Sequence, residues 1–140
     1  MKDPSDAILT AFYTALNGNL AYGSTDFPVY TFAPKADVYN YVLLEDVSLV
    51  DDSTKDRYES EGTILIEVVH GGMSKRGTLK GVNDVGNDIL LLTVKTAITV
   101  SGFTWAVTPY VDNINILKEP TETSIIARKL IRLRFIIRQT

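Results

Sequence analysis

From Glu61 to Gly72 the chain reads EGTILIEVVHGG, with Ile64, Ile66 and Val68 on one side of a period-two pattern. Thr63, Leu65, Glu67 and Val69 fall on the other side. Such a pattern predicts a strand with one buried face and a second face only partly covered. Thr123 to Arg138 repeats it more cleanly. Ile125, Ala127, Ile131, Leu133, Phe135 and Ile137 share one face, interrupted only by Lys129. Arg128, Arg132, Arg134 and Arg138 share the other with Ile126, Leu130 and Ile136. Val38 to Val50 is a third strand, with Tyr39, Tyr41, Leu43, Val47 and Leu49 on one face and Glu45 breaking it. A bulge near Glu45-Asp46 reconciles that pattern.

Shorter segments complete the set. Phe27 to Phe32 predicts a brief strand, which Pro28 places at an edge or a strand start. Gly102 opens another, with Phe103, Trp105 and Val107 on one side and Pro109 ending or bending it. A short apolar stretch, Asn113 to Leu117, follows. Asn19 to Asp26 reads as a polar connection.

Two segments carry helical spacing instead. Ala7, Ile8, Ala11, Phe12, Ala15 and Leu16 form an apolar stripe, with Asp3 as N-cap, Pro4 at the first helical position and Gly18 as the left-handed terminator. Ser74 to about Val94 places Leu79, Val82, Val85, Ile89 and Leu92 three to four apart. Gly77, Gly81 and Gly86 interrupt that helix at about 1 kcal/mol each relative to alanine, and Gly77 and Gly81 would admit a close neighbour. Consecutive strands joined by short loops favour antiparallel pairing. The expectation is a single α+β domain over residues 1–140: a mostly antiparallel sheet with an N-terminal and a central helix packed on one face.

Composition adds limits. A chain of 140 residues with 45% hydrophobic and 22% charged residues has an ordinary globular make-up. It is long enough to bury roughly 68–70% of its unfolded surface. With no cysteine, disulfides and thiolate metal sites are excluded. The segment MKDPSDAILTAF lacks the apolar core of a signal peptide, and no run reaches the roughly 18 apolar residues of a membrane span. The net charge of -3 conceals a division. Asp37 to Glu67 holds nine acids against Lys55 and Arg57, whereas Arg128 to Arg138 holds five bases and no acid.

Catalytic chemistry finds little support. His70 is the only histidine, so a multi-histidine metal site cannot be built within one chain, and its place before two glycines fits a structural role. Neither Ser60 nor Ser74 has a base or an oxyanion device at useful spacing. Glu45-Asp46 and Asp51-Asp52 are adjacent pairs, which point to opposite faces of a strand rather than at one substrate atom. Asp51, Asp52 and Asp56 lack the order of a calcium loop, and residues 71–77 lack the ending of a phosphate loop. No cofactor is implied. A pocket between sheet and helices lined by Tyr39, Tyr41 and Trp105 is the ligand-binding alternative, although aromatics so placed are more often core.

The arginine face is the strongest functional signal. It reads either as a solvated face or as a contact surface, since arginine mixed with apolar side chains is typical of interfaces. The acidic segment is its complement, so identical subunits could associate head to tail, with Arg128, Arg132, Arg134 and Arg138 of one copy meeting Glu59 and Glu61 of the next. A heterologous contact of this kind that closes makes a ring. Nucleic-acid binding through the same arginines is a third reading, weakened by the acidic total and the lack of an aromatic platform.

The order of elements, with VYTFAPKADVYNYVLLED after a helix that opens DPSDAILTAFYTAL, then EGTILIEVV and a final basic and apolar strand, resembles the tail-terminator or tail-completion proteins of tailed bacteriophages. That resemblance implies a non-enzymatic virion protein, assembled in the host cytoplasm and located at the tail–neck junction. It implies a homomeric ring, sixfold in most terminators, that caps the tail tube and joins it to the head connector. Head-completion and neck adaptor proteins use similar small folds. The partners implied are the chain itself, the tail-tube protein and a connector protein, with DNA only as cargo and no membrane. The polar loop with Asp51, Asp52, Lys55, Asp56 and Arg57 would then face the lumen or the tube, its acidity letting DNA slide past.

Overall fold

The computed structural model describes residues 2–35, 39–73, 79–96, 98–120 and 124–140. Its centre is the antiparallel pairing of β5 (Glu59–Met73) with β7 (Ile125–Gln139). Ile64 lies opposite Leu133 and Ile66 opposite Ile131, and all four side chains are fully buried. Burying each contributes about 1.5–3 kcal/mol, so the apolar row selects this register over its neighbours.

On one side of this pair lies β4 (Asn40–Asp51), antiparallel to β5; on the other lies β6 (Phe103–Pro120), antiparallel to β7. The five-stranded order is completed by β3 (Val29–Tyr30), the one parallel neighbour, beside Val42 and Leu43. Pro28, which has no amide hydrogen, contributes its carbonyl to the Val42 N–H at 2.9 Å. The predicted strand Phe27–Phe32 is thus shorter than expected, and Phe32 is exposed.

The bulge expected at Glu45-Asp46 is present, as a register shift between Leu44 and Val47. It changes the faces. Tyr41 and Leu43 pack with Val69 on the open face of the sheet, while Val47 and Leu49 lie against the main core with Val42 and Leu44. One extra residue moves the second half of β4 to the opposite face.

Both helices cover the same face. α1 (Ser5–Leu16) buries Ile8, Phe12 and Leu16. Its start lies one residue later than expected: Pro4 occupies the cap position, and the Asp3 carboxylate accepts from the Ser5 N–H at 2.9 Å and hydroxyl at 2.6 Å. Gly18, with φ 82°, ends it as the spacing requires. α2 (Lys80–Leu90) buries Val82, Val85 and Ile89 and continues as a π-helical turn, Leu91–Lys95. The predicted helical residues 74–78, Gly77 included, lie outside the described residues. At Gly81 an added Cβ would stand 2.9 Å from the His70 ring, so the close approach expected of this glycine is real.

Two further differences concern β-structure. Residues 19–26 are not simply a connection: β1 (Ala21–Tyr22) and β2 (Thr25–Asp26) form a small hairpin turning at Gly23, which has φ 61°. Phe103 to Pro120 is one long strand rather than two pieces, because Pro109 sits on an edge strand where a register shift absorbs it.

Ile66→Ala should lower the unfolding free energy by about 2–5 kcal/mol. Arg132→Ala, on the open face, should change it by no more than about 0.5 kcal/mol. Urea denaturation followed by circular dichroism compares them, and equal losses would show that the β5–β7 row is not the core.

Candidate functional site

The helices leave the other face of the sheet uncovered, and the arginines lie there. Even-numbered residues of β7 alternate with odd-numbered residues of β5 on this face. Arg138 stands opposite Glu59 and Arg134 opposite Thr63, so Glu61 is its diagonal neighbour. Two nitrogens of Arg138 lie 2.6 and 2.7 Å from a Glu59 oxygen. Arg134 reaches Glu61 at 3.2 Å and Asp112 of β6 at 3.3 Å. Arg128 reaches Glu67 at 2.8 Å and Glu119 of β6 at 2.7 Å. Of the four arginines, Arg132 alone has no ion pair among the described residues. Charge complementarity that from sequence could be met by a second copy is therefore largely met inside one chain. Partly exposed pairs of this type are each worth about 0–1 kcal/mol.

One corner of the face is electrostatically tight. Burial disfavours the charged form of Arg128, but the hydrogen bonds it donates to Glu67, Glu119 and Tyr41 outweigh that and raise its pKa. Beside it, Glu45 shares a hydrogen bond with Glu67, is partly desolvated, and feels the negative charges of Glu67 and Asp46. Its pKa is pushed from 4.5 to about 7. The geometry gives no reason from sequence to expect this, because the bulge and the β4–β5 register bring Glu45 to Glu67.

The loop residues sit at the β4–β5 hairpin. Thr54 and Arg57 bridge across Lys55 and Asp56, which form its tip. Asp51 closes β4, and its carboxylate accepts from the Ser53 N–H at 3.0 Å and hydroxyl, which holds its pKa below the usual value. Arg57 lies 3.7 Å from Glu59, and Asp51, Asp52, Lys55, Asp56 and Arg57 are all exposed. The Tyr58 carbonyl accepts from the Gln139 N–H, which ties the hairpin to the end of β7.

His70 lies on the core face of β5. Its Nδ1 is 2.7 Å from the Asn40 Oδ1, an acceptor, which places the proton on Nδ1. Its ring packs 5.6 Å from Phe27 and 5.9 Å from Tyr22, and burial lowers its pKa. Lys129, the one charge on the buried face of β7, is only 7% exposed and donates to the Asn83 Oδ1 at 3.1 Å. Burial lowers its pKa also, and its methylenes press on Gly86, where a Cβ would be 3.0 Å away. Both residues hold α2 to the sheet.

The aromatic pocket does not form. Trp105 lies on the helix side, donating to the Ile98 carbonyl at 2.7 Å and packing edge-on against Phe135, whereas Tyr41 lies on the open face and Tyr39 is exposed. Opposite faces of a sheet cannot line one cavity. A concavity of about 830 Å³ is instead a groove between α1 and the β3–β4 edge, lined by Leu9, Tyr13, Phe32, Leu44, Glu45 and Asp46 among others. Among the described residues no group of three or more His, Asp or Glu side chains is placed to hold a metal, and no helix is long and apolar enough to cross a membrane.

No protein-family model and no curated protein matches the sequence. Among solved structures, a chain of the "Virion of native gene transfer agent (GTA) particle" has the same fold, with a TM-score of 0.76 over 99% of both chains at 14% identity.

Because Glu45 has a higher pKa folded than unfolded, the native state carries the extra proton between about pH 4.5 and 7. This contribution to stability is complete below pH 4.5 and is lost as the pH rises to 7. Glu45→Gln should therefore gain on the wild type as pH rises through that window, in denaturation midpoints taken at half-unit steps. A constant difference would mean that Glu45 titrates normally.

Proposed function

We propose that this chain is a structural virion protein that forms a homomeric ring at the tail–neck junction, capping the tail tube and joining it to the head connector. The observation that carries this reading is the likeness of fold over 99% of both chains to a chain of a virion particle. The polar chemistry described above supports it: most of the charged side chains on the open face are held in ion pairs with one another.

In this reading Arg128, Arg132, Arg134, Arg138, Glu59 and Glu61 form a contact surface toward a neighbouring subunit. Arg132 is the member left open to an outside charge. The hairpin tip with Asp51, Asp52, Lys55, Asp56 and Arg57 projects from one end of the sheet and faces the lumen or the tube. Four acids, Asp51, Asp52, Asp56 and Glu59, against two bases, Lys55 and Arg57, give that end a negative balance. A wall of this sign repels DNA phosphates and so does not hold passing DNA.

The test is a binding experiment with purified protein, tail tubes and connector from the same particle, imaged by negative-stain electron microscopy. Rings should sit on tube ends and tubes should stop growing when the protein is added. Binding to the connector with none to tube ends would assign a head-completion role instead, and binding to neither would defeat the virion reading.

A further inference from the structure

Each end of the five-stranded sheet has an unpaired edge. Beyond β3, which covers only Val42 and Leu43, the outer side of β4 from Glu45 to Asp51 has no strand partner among the described residues. At the far end the whole outer side of β6 is likewise unpaired. Long bare edges favour pairing with another chain unless charge, proline or bulges protect them. In the first part of β6 Pro109 and three register shifts between Trp105 and Asn113 disturb the ladder, whereas the distal part carries only Lys118 and Glu119 and the terminal Pro120. From Asn113 to Pro120 it is regular.

That regular part is also apolar and uncovered. Ile114, Ile116 and Leu117 there are 38–49% exposed, and Val107, Tyr110 and Val111 of the first part are exposed as well. Its charges are largely spent. Asp112 is paired with Arg134 and Glu119 with Arg128, which leaves Lys118 as the β6 charge with no ion pair among the described residues. The β4 edge carries the opposite sign in Asp46 and Asp51, joined by Glu45 where the pH rises above about 7.

Strand direction completes the match. β4, β5, β7 and β6 alternate in direction, so β4 and β6 run antiparallel to each other. A second copy placed beside the first in the same orientation therefore brings its β6 antiparallel to β4, with helices on the same side.

We infer that the distal half of β6, Asn113–Lys118, docks on the bare edge of β4 in a second copy of this chain, so that the sheet continues from subunit to subunit. This rests on the self-assembly proposed above and names its contact. Keeping the helix-side residues on one face sets the register. Ile114 then lies opposite Leu49, Ile116 opposite Val47 and Asn115 opposite Ser48. Lys118 falls at the Glu45-Asp46 bulge, beside the groove under Phe32. The incoming strand begins where β3 stops. The contact joins two different surfaces, so it repeats head to tail and closes into a ring when the rotation allows.

The absence of native cysteine makes the test direct. Ser48→Cys and Asn115→Cys on one chain are three strand spacings apart, about 14 Å, beyond the roughly 7 Å reach of a disulfide. Mild oxidation of the full-length double variant should give a ladder of disulfide-linked multimers, with neither single variant forming more than dimers. Ile114→Lys should weaken assembly at least about tenfold in native mass spectrometry, because an ammonium would be buried at the contact. Its denaturation midpoint should stay near wild type, since the side chain is exposed in the monomer. If wild-type oligomers form but the Ser48/Asn115 pair gives no ladder while an Arg132→Cys/Glu61→Cys pair gives one, the edge contact is wrong and the ring reading survives. A strict monomer with no cross-link at any concentration overturns the edge contact and removes self-assembly with it.

Discussion

The register between β5 and β7 is the constraint on which the rest of the molecule depends. One alignment places Ile64 and Ile66 against Leu133 and Ile131 beneath the helices. The same alignment sets Glu59, Glu61 and Glu67 among Arg138, Arg134 and Arg128 on the other side. A slip of one residue would turn the arginines into the core and the isoleucines into water. The ion pairs, each weak by itself, therefore agree with a register that burial has already selected. Their arrangement is a consequence of the core.

α2 depends on that pairing through one polar contact and one close ring contact as well as through apolar packing. His70 on β5 and Lys129 on β7 stand on the helix side, and each meets a glycine of α2, Gly81 and Gly86 respectively. Glycine at both places lets the helix come close enough for Lys129 to reach Asn83. The cost in helix propensity is about 1 kcal/mol per glycine. It is offset by the burial of Val82, Val85 and Ile89 that the close approach permits. The glycines that look unfavourable along the sequence are thus what seats the helix.

Much of this was legible before any coordinates. β7, the cleanest alternation, and the Ile64-Ile66-Val68 row kept their faces, and the charged interruption at Glu45 marked a real bulge. What could not be read was pairing between distant segments. Nothing in the local pattern says that Glu67 and Glu119 flank Arg128, because that requires knowing that β7 lies between β5 and β6. The sequence therefore shows the acidic and basic regions as complementary without showing how much of that complementarity is met inside one chain. The β1–β2 hairpin escaped because two residues per strand carry no period, and β6 was divided at Pro109 because a proline is harmless only on an edge. Edge position is a property of the fold, invisible in the sequence.

Internal pairing of the charged face bears on how such a subunit can assemble. An arginine already held by one or two carboxylates has less to gain from a partner's carboxylate, because a new pair must replace an old one. Exposed ion pairs are also screened within about 8 Å at physiological salt. Backbone hydrogen bonds along an open edge face neither limit. They are unsatisfied by the chain itself, they are insensitive to screening, and their spacing fixes the angle between neighbours. Apolar side chains beside them, as on β6, add burial without further directional demands. A sheet whose face is neutralised internally and whose edges are bare is therefore biased toward lateral growth. In the proposed contact, the sign difference between Lys118 and the Glu45-Asp46 bulge distinguishes the two edges, so the two ends of the sheet are not interchangeable.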